Sequence, residues 1–85
     1  MVLLVSDESY TETHVVARLT MLVDELDQKM STDIYNAALK TGEGLVGTYP
    51  LELAEHYVEQ LARSEPMIFA DLRKEGKAPG GDGNN

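Results

Sequence analysis

Between Glu12 and Leu26 the apolar residues Val15, Val16, Leu19, Leu22, Val23 and Leu26 recur at spacings of three and four. Side chains so spaced share one face of a helix, so this stretch predicts an amphipathic helix whose apolar stripe must be covered by the rest of the chain. The cover has to come from little material. The chain has 85 residues, and from Lys77 on it reads KAPGGDGNN, nearly without apolar side chains. The expected domain is therefore residues 1–74, with 75–85 as a disordered Gly/Asn-rich tail. A domain of that size buries only about 60% of its unfolded surface, so efficient helix-on-sheet packing is needed.

The other elements follow from shorter signals. Val2 to Val5, VLLV, is a continuous apolar run ahead of the polar SDES and reads as a buried strand. Ser9 and Glu12 have the spacing of a capping box that would start the first helix. Asp27 is placed to cap a second helix from Gln28 to Thr41, with Met30, Ile34, Ala37 and Ala38 inward and Gly42 as its left-handed terminator. A short strand is expected around Leu45 and Val46, between Gly42 and Gly47. Thr48 could cap a third helix with Pro50 near its first position; Leu53, Ala54, Tyr57, Val58 and Leu61 would face inward, and Glu52, Glu55 and Glu59 outward. Pro66 ends that helix, and MIFADL, Met67 to Leu72, reads as a closing strand. The order is β-α-α-β-α-β. It predicts an α+β fold, a three-stranded antiparallel sheet with three helices packed on one face.

Several function classes drop out. Seven Lys and Arg stand against fifteen Asp and Glu, a formal charge of −8. That balance repels phosphate backbones, so nucleic acid is not an expected partner. The longest apolar run is far short of the roughly twenty residues that span a bilayer, so no membrane association is expected. The absence of cysteine excludes disulfides and thiolate zinc sites and fits a cytoplasmic location. The two histidines, His14 and His56, lie in no metal-binding or phosphate-loop motif; Glu52 with His56 supplies two ligands only, which make no closed metal site. Ser6, Ser9 and His14 cluster at one strand-to-helix turn without a nucleophile elbow or a third member. The reading is a protein-binding module with no enzyme activity, no cofactor and no metal.

Two features could serve binding. Asp7, Glu8 and Ser9 follow the first strand, where carboxylates beside a helix start can accept hydrogen bonds from an amine or can form an ordinary acidic turn. Met30, Tyr35 and Met67 suit either the core or an adaptable apolar pocket.

The stretch GEGLVGTYPLELAEHYV, Gly42 to Val58, resembles the ClpS pattern G-K-A-x-x-G-x-[FY]-x-x-E-x-A-E-x-x-V, with Gly42, Gly47, Tyr49, Glu52, Ala54, Glu55 and Val58 at the family's spacing. Ala62, Arg63 and Pro66 are similar to its ending before the last strand. VLLVSDESYTETHVV, Val2 to Val16, is similar to the family's V-I-L-x-N-D-D-x-T-P-M-x-x-V, keeping Asp7, Tyr10, Thr11 and Val16 after one inserted residue. About seventy residues are covered.

The resemblance implies a βααβαβ sandwich that binds the N-terminal domain of a Clp AAA+ unfoldase and presents proteins with bulky hydrophobic N-termini to the Clp protease. It implies an unfoldase-binding face at Tyr49, Glu52, Glu55 and Tyr57, where Tyr57 stands at a position usually held by Lys. It also implies an N-degron pocket at Ser6, Asp7, Glu8, Thr11, Thr13, Val16, Tyr35, Ala38, Leu39 and Met67. In this chain Ser6 stands for the family's Asn, Glu8 for its second Asp, Glu12 and Thr13 for Pro and Met, and Leu39 for a histidine that grips the α-amine. Family members carry a flexible segment before the first strand, whereas this sequence opens at the strand. The expectation is a divergent or minimal member that regulates N-degron delivery. The alternative is a stand-alone acidic interaction module or an inhibitor of another enzyme.

Overall fold

The structure, a computed structural model, describes residues 1–74; the segment read as a disordered tail lies outside the described residues. Its elements are β1 (Val2–Val5), α1 (Glu12–Leu22), α2 (Gln28–Thr41), β2 (Glu43–Gly47), α3 (Leu51–Ala62) and β3 (Ala70–Leu72). The strands form one antiparallel sheet in the order β2-β1-β3. The most apolar strand thus takes the centre, where both of its edges are hydrogen-bonded.

Side chains alternate across a strand, so Val2 and Leu4 point to one face, and both are fully buried with Val15, Leu19, Val23, Ile34, Ala38, Ala54, Leu61 and Ile68 from the helices and the last loop. All three helices cover that face. Leu3 points the other way, opposite Leu45 and Asp71. It is nonetheless buried, although Leu45 beside it is half-exposed. The guanidinium of Arg73, at the end of β3, reaches across to Glu43 at the far end of β2 with a bidentate contact of 3.0 and 2.6 Å, and the registers put Leu3 between the two. That ion pair draws the Glu43 carboxyl below its usual range.

The second helix forms as its end signals predict. Asp27 accepts from the Met30 amide at 2.8 Å, and Gly42 closes the helix at φ 94°, a conformation that favours glycine. Gly44 serves a different need: a Cβ there would lie 2.3 Å from the Ile34 carbonyl oxygen, so its absence lets α2 lie directly on β2.

Other end signals are overturned. The N-cap of α1 is Thr11, whose hydroxyl accepts from the His14 amide; the Ser9 hydroxyl donates to Asp7 instead, and no Ser9–Glu12 capping box forms. Helix α1 stops at Leu22 rather than Leu26, because Asp24 and Glu25 would put negative charge at the negative end of the helix dipole. Val23 and Leu26 stay in the core by folding into a turn, with the Leu26 amide donating to the Val23 carbonyl at 3.0 Å. Thr48 does not cap α3; Pro50 takes the N-cap position with no side-chain cap bond. The inner face of α2 is Ser31, Ile34, Tyr35 and Ala38, rotated so that Met30 is exposed. Leu53 is also partly exposed.

Strand β3 is shorter than MIFADL. Ile68 drops fully into the core while its amide donates to Leu61, and Met67 and Phe69 flank it with about half of their surface open.

Candidate functional site

At the end of β1 the chain turns through Ser6 to Ser9 into α1. The Ser6 amide donates to the Gly42 carbonyl at 3.0 Å, tying this turn to the end of α2. The Asp7 carboxylate accepts from the Ser9 amide at 2.9 Å and from the Ser9 hydroxyl. The hydroxyl bond first, and the amide bond after it, hold the Asp7 carboxyl below its usual range. Glu8 is exposed beside it. The turn is closed from beneath by Tyr10, whose phenol donates to the Val5 carbonyl at 2.7 Å and accepts from the Phe69 amide at 2.8 Å. Its ring stacks on Phe69 with centroids 6.4 Å apart, and burial pushes the phenol above its usual pKa.

Helices α1 and α2 run side by side, joined by a 2.9 Å bond between the Thr20 and Ser31 hydroxyls. Between them opens a groove of about 650 Å³, lined by Glu12, Thr13, Val16, Ala17, Thr20 and Met21 from α1 and by Gln28 and Thr32 from α2. The opposite flank of α1 is stitched to the loop before β3: His14 Nε2 donates to the Pro66 carbonyl at 2.9 Å, and Arg18 Nε donates to the Ser64 hydroxyl at 3.0 Å.

Of the residues expected to form a pocket, the groove brings together Thr13 and Val16. Ser6, Asp7 and Glu8 belong to the strand-end turn, and Thr11 caps α1. Leu39 is exposed on α2. Tyr35 and Ala38 are buried in the core, so neither presents an open pocket wall. Met67 follows Pro66 in the loop held by His14 and does not line the groove. Ala17, Thr20, Met21, Gln28 and Thr32 line the groove without being expected to from the sequence. Their signal is the three-to-four spacing of Thr13, Val16, Ala17 and Thr20, a second and more polar stripe along the flank of α1.

The outer face of α3 carries Glu52, Glu55 and Glu59 with Leu51 and Leu53, all exposed. Arg63 pairs with Glu59 at 2.6 Å; among the described residues neither Glu52 nor Glu55 takes part in an ion pair. Tyr57, expected both on the inner face and as a contact residue, is buried and serves the core. Its ring meets Tyr49 edge-on with centroids 4.9 Å apart. Burial, seconded by the charge of Glu25, pushes Tyr49 up to about 12, and the same causes raise Tyr57. A second hollow, of about 380 Å³, lies beside the start of α3 between Tyr49, Leu51, Ala54 and Leu72.

Among the described residues no three His, Cys, Asp or Glu side chains are grouped to hold a metal, and no helix is long and apolar enough to cross a membrane. The sequence profile of the family described as "ATP-dependent Clp protease adaptor protein ClpS" matches residues 1–70, most of the chain. The chain belongs to the ClpS family. The matched span runs from β1 to the first residue of β3 and so takes in the strand-end turn, the groove and α3. No curated protein matches the chain. ClpS proteins are non-catalytic adaptors, and membership assigns this chain a Clp protease adaptor role.

Proposed function

We propose that this ClpS protein docks on the N-terminal domain of a Clp AAA+ unfoldase through the outer face of α3 and regulates the delivery of proteins with hydrophobic N-termini. The observation that carries the reading is the exposure of Glu52 and Glu55 without an ion-pair partner among the described residues, on a helix whose opposite side is pinned by Ala54, Tyr57 and Leu61. Two carboxylates on a rigid helix, flanked by exposed Leu51 and Leu53, suit a partner surface with an apolar centre and cationic rim.

Calorimetry with N-domains of the ClpA and ClpC types tests this. The wild type binds, and Glu52→Lys with Glu55→Lys weakens binding by about tenfold or more, since like charges then meet across the interface. No binding by the wild type at about 100 μM, a free energy of only about −5.5 kcal/mol, refutes the reading.

On the substrate side a regulatory role is favoured over a tight N-degron grip. The Asp7 carboxylate is already engaged by Ser9, and Leu39 offers no hydrogen bond to an amine. Each missing charge-assisted bond costs about 1.5–3 kcal/mol, or one to two decades in affinity.

A further inference from the structure

Resting on the docking just described, we infer that the unfoldase-binding face has a second half: the turn between α1 and α2, whose Asp24 and Glu25 stand beside Tyr49 and Leu53 and complete an acidic, apolar-centred surface for a partner rimmed with Lys and Arg.

Three features build this surface. The first is the turn's rigidity. Val23 and Leu26 are buried on either side of it, and the bond from the Leu26 amide to the Val23 carbonyl closes it, so Asp24 and Glu25 are exposed on a fixed support. Ordering such a turn on binding costs little conformational entropy, which distinguishes it from an acidic stretch on a mobile loop.

The second is its position. Helix α2 runs back along β2 and contacts it closely near Gly44, so the α1–α2 turn lies at the Gly47 end of the sheet, where the chain passes through Tyr49 into α3. In keeping with that position, the charge of Glu25 adds to burial in raising both the Tyr49 and Tyr57 phenols, and that of Asp24 adds to the rise at Tyr57. Leu53 is four residues before Tyr57 and therefore on the same flank of α3.

The third is composition. From the turn to α3 the surface reads Asp24 and Glu25, then Tyr49 and Leu53, then Glu52 and Glu55, with Leu51 two-thirds exposed at the helix start. Carboxylates from two elements thus bracket an apolar centre. His56 stands next to Tyr57, with ring centroids 6.1 Å apart. Such a surface complements basic side chains around an apolar knob far better than it does an acidic or neutral partner.

The test uses the full chain against the unfoldase N-domain in stopped-flow binding at low and physiological salt. Asp24→Asn with Glu25→Gln is expected to slow association about fivefold at low salt and to flatten the salt dependence, since rim charges act mainly on the on-rate. Asp33→Asn with Glu65→Gln removes the same number of charges elsewhere and is expected to change the rate less than twofold. A turn variant that associates within twofold of wild type, while Glu52→Lys with Glu55→Lys still weakens binding, overturns the second half and leaves docking through α3 standing. Equal slowing by both neutral pairs also overturns it, because net charge then explains the effect. A wild type that binds no N-domain overturns both. Circular dichroism of each variant guards against loss of fold.

Discussion

Replacing Tyr10 with Phe removes one oxygen atom and leaves the ring in place. That oxygen accepts from the Phe69 amide at 2.8 Å and donates to the Val5 carbonyl at 2.7 Å, so it joins the last residue of β1 to the segment entering β3. Its loss leaves a backbone donor without this partner. The Val5 carbonyl loses one as well. An unsatisfied buried group costs about 1–3 kcal/mol, and Phe69 is itself partly exposed, so water relieves some of the loss; the expected cost is about 2–3 kcal/mol. For a domain of this size about 1 kcal/mol shifts Tm by about 4–8 °C, which predicts a fall of about 10–20 °C. Thermal and urea unfolding of the two proteins measure it, with Tyr35→Phe as a control because the Tyr35 hydroxyl makes no hydrogen bond among the described residues. A Tm fall of less than about 3 °C for Tyr10→Phe would refute the reasoning and show that the phenol bonds contribute no more than the water that replaces them.

Two further outcomes are expected. Tyr10, Tyr49 and Tyr57 all have phenols raised above the usual value of 10.0, so the stability they contribute is complete below pH 10 and is lost as pH rises through their folded values, toward about 12 for Tyr49; a Tm that stays flat between pH 10 and 12 contradicts this. Fluorescence anisotropy with free and N-acetylated Phe-peptides is expected to give high-micromolar binding that acetylation changes less than about threefold, whereas low-micromolar binding abolished by acetylation would show an intact amine grip.

Element order, the antiparallel sheet and its helix-covered face are legible in the sequence because each rests on a periodicity that tertiary packing reinforces, whereas the strand order β2-β1-β3 is visible only in the structure. The Val15–Leu19 stripe, the VLLV run and the Asp27 and Gly42 end signals belong to this class. Misreadings arose where two local signals competed. Ser9 had the spacing to cap α1 but also lay two residues from Asp7, and the shorter loop won. Val23 and Leu26 continued the helical stripe and are buried, yet Asp24 and Glu25 between them made a turn more favourable than another helical turn. The phase of α2 was off by part of a turn because Ser31, a small polar residue able to pair with Thr20, counts as a surface residue in a purely apolar pattern. The lining of the groove is harder to read. A groove between two helices is lined by the flanks of their stripes, and here Thr13, Ala17, Thr20, Gln28 and Thr32 make up most of the lining beside Val16 and Met21, so the apolar signal is weak.

The same geometry bears on how an adaptor can hold two partners. Helix α1 has eleven residues, which at about 1.5 Å per residue separates its ends by roughly 16 Å. The strand-end turn of Asp7 and Tyr10 lies at its start; the Asp24–Glu25 turn follows its end, toward the Gly47 end of the sheet from which the chain enters α3. One helix therefore spaces the proposed unfoldase face from the opposite end of the groove. Its flank is locked by His14 to the Pro66 carbonyl and by Arg18 to Ser64. On that side α1 and the loop before β3 are tied together, on the flank of α1 away from the α1–α2 groove. Along the α1–α2 seam the Thr20–Ser31 bond joins the two helices side chain to side chain at the groove.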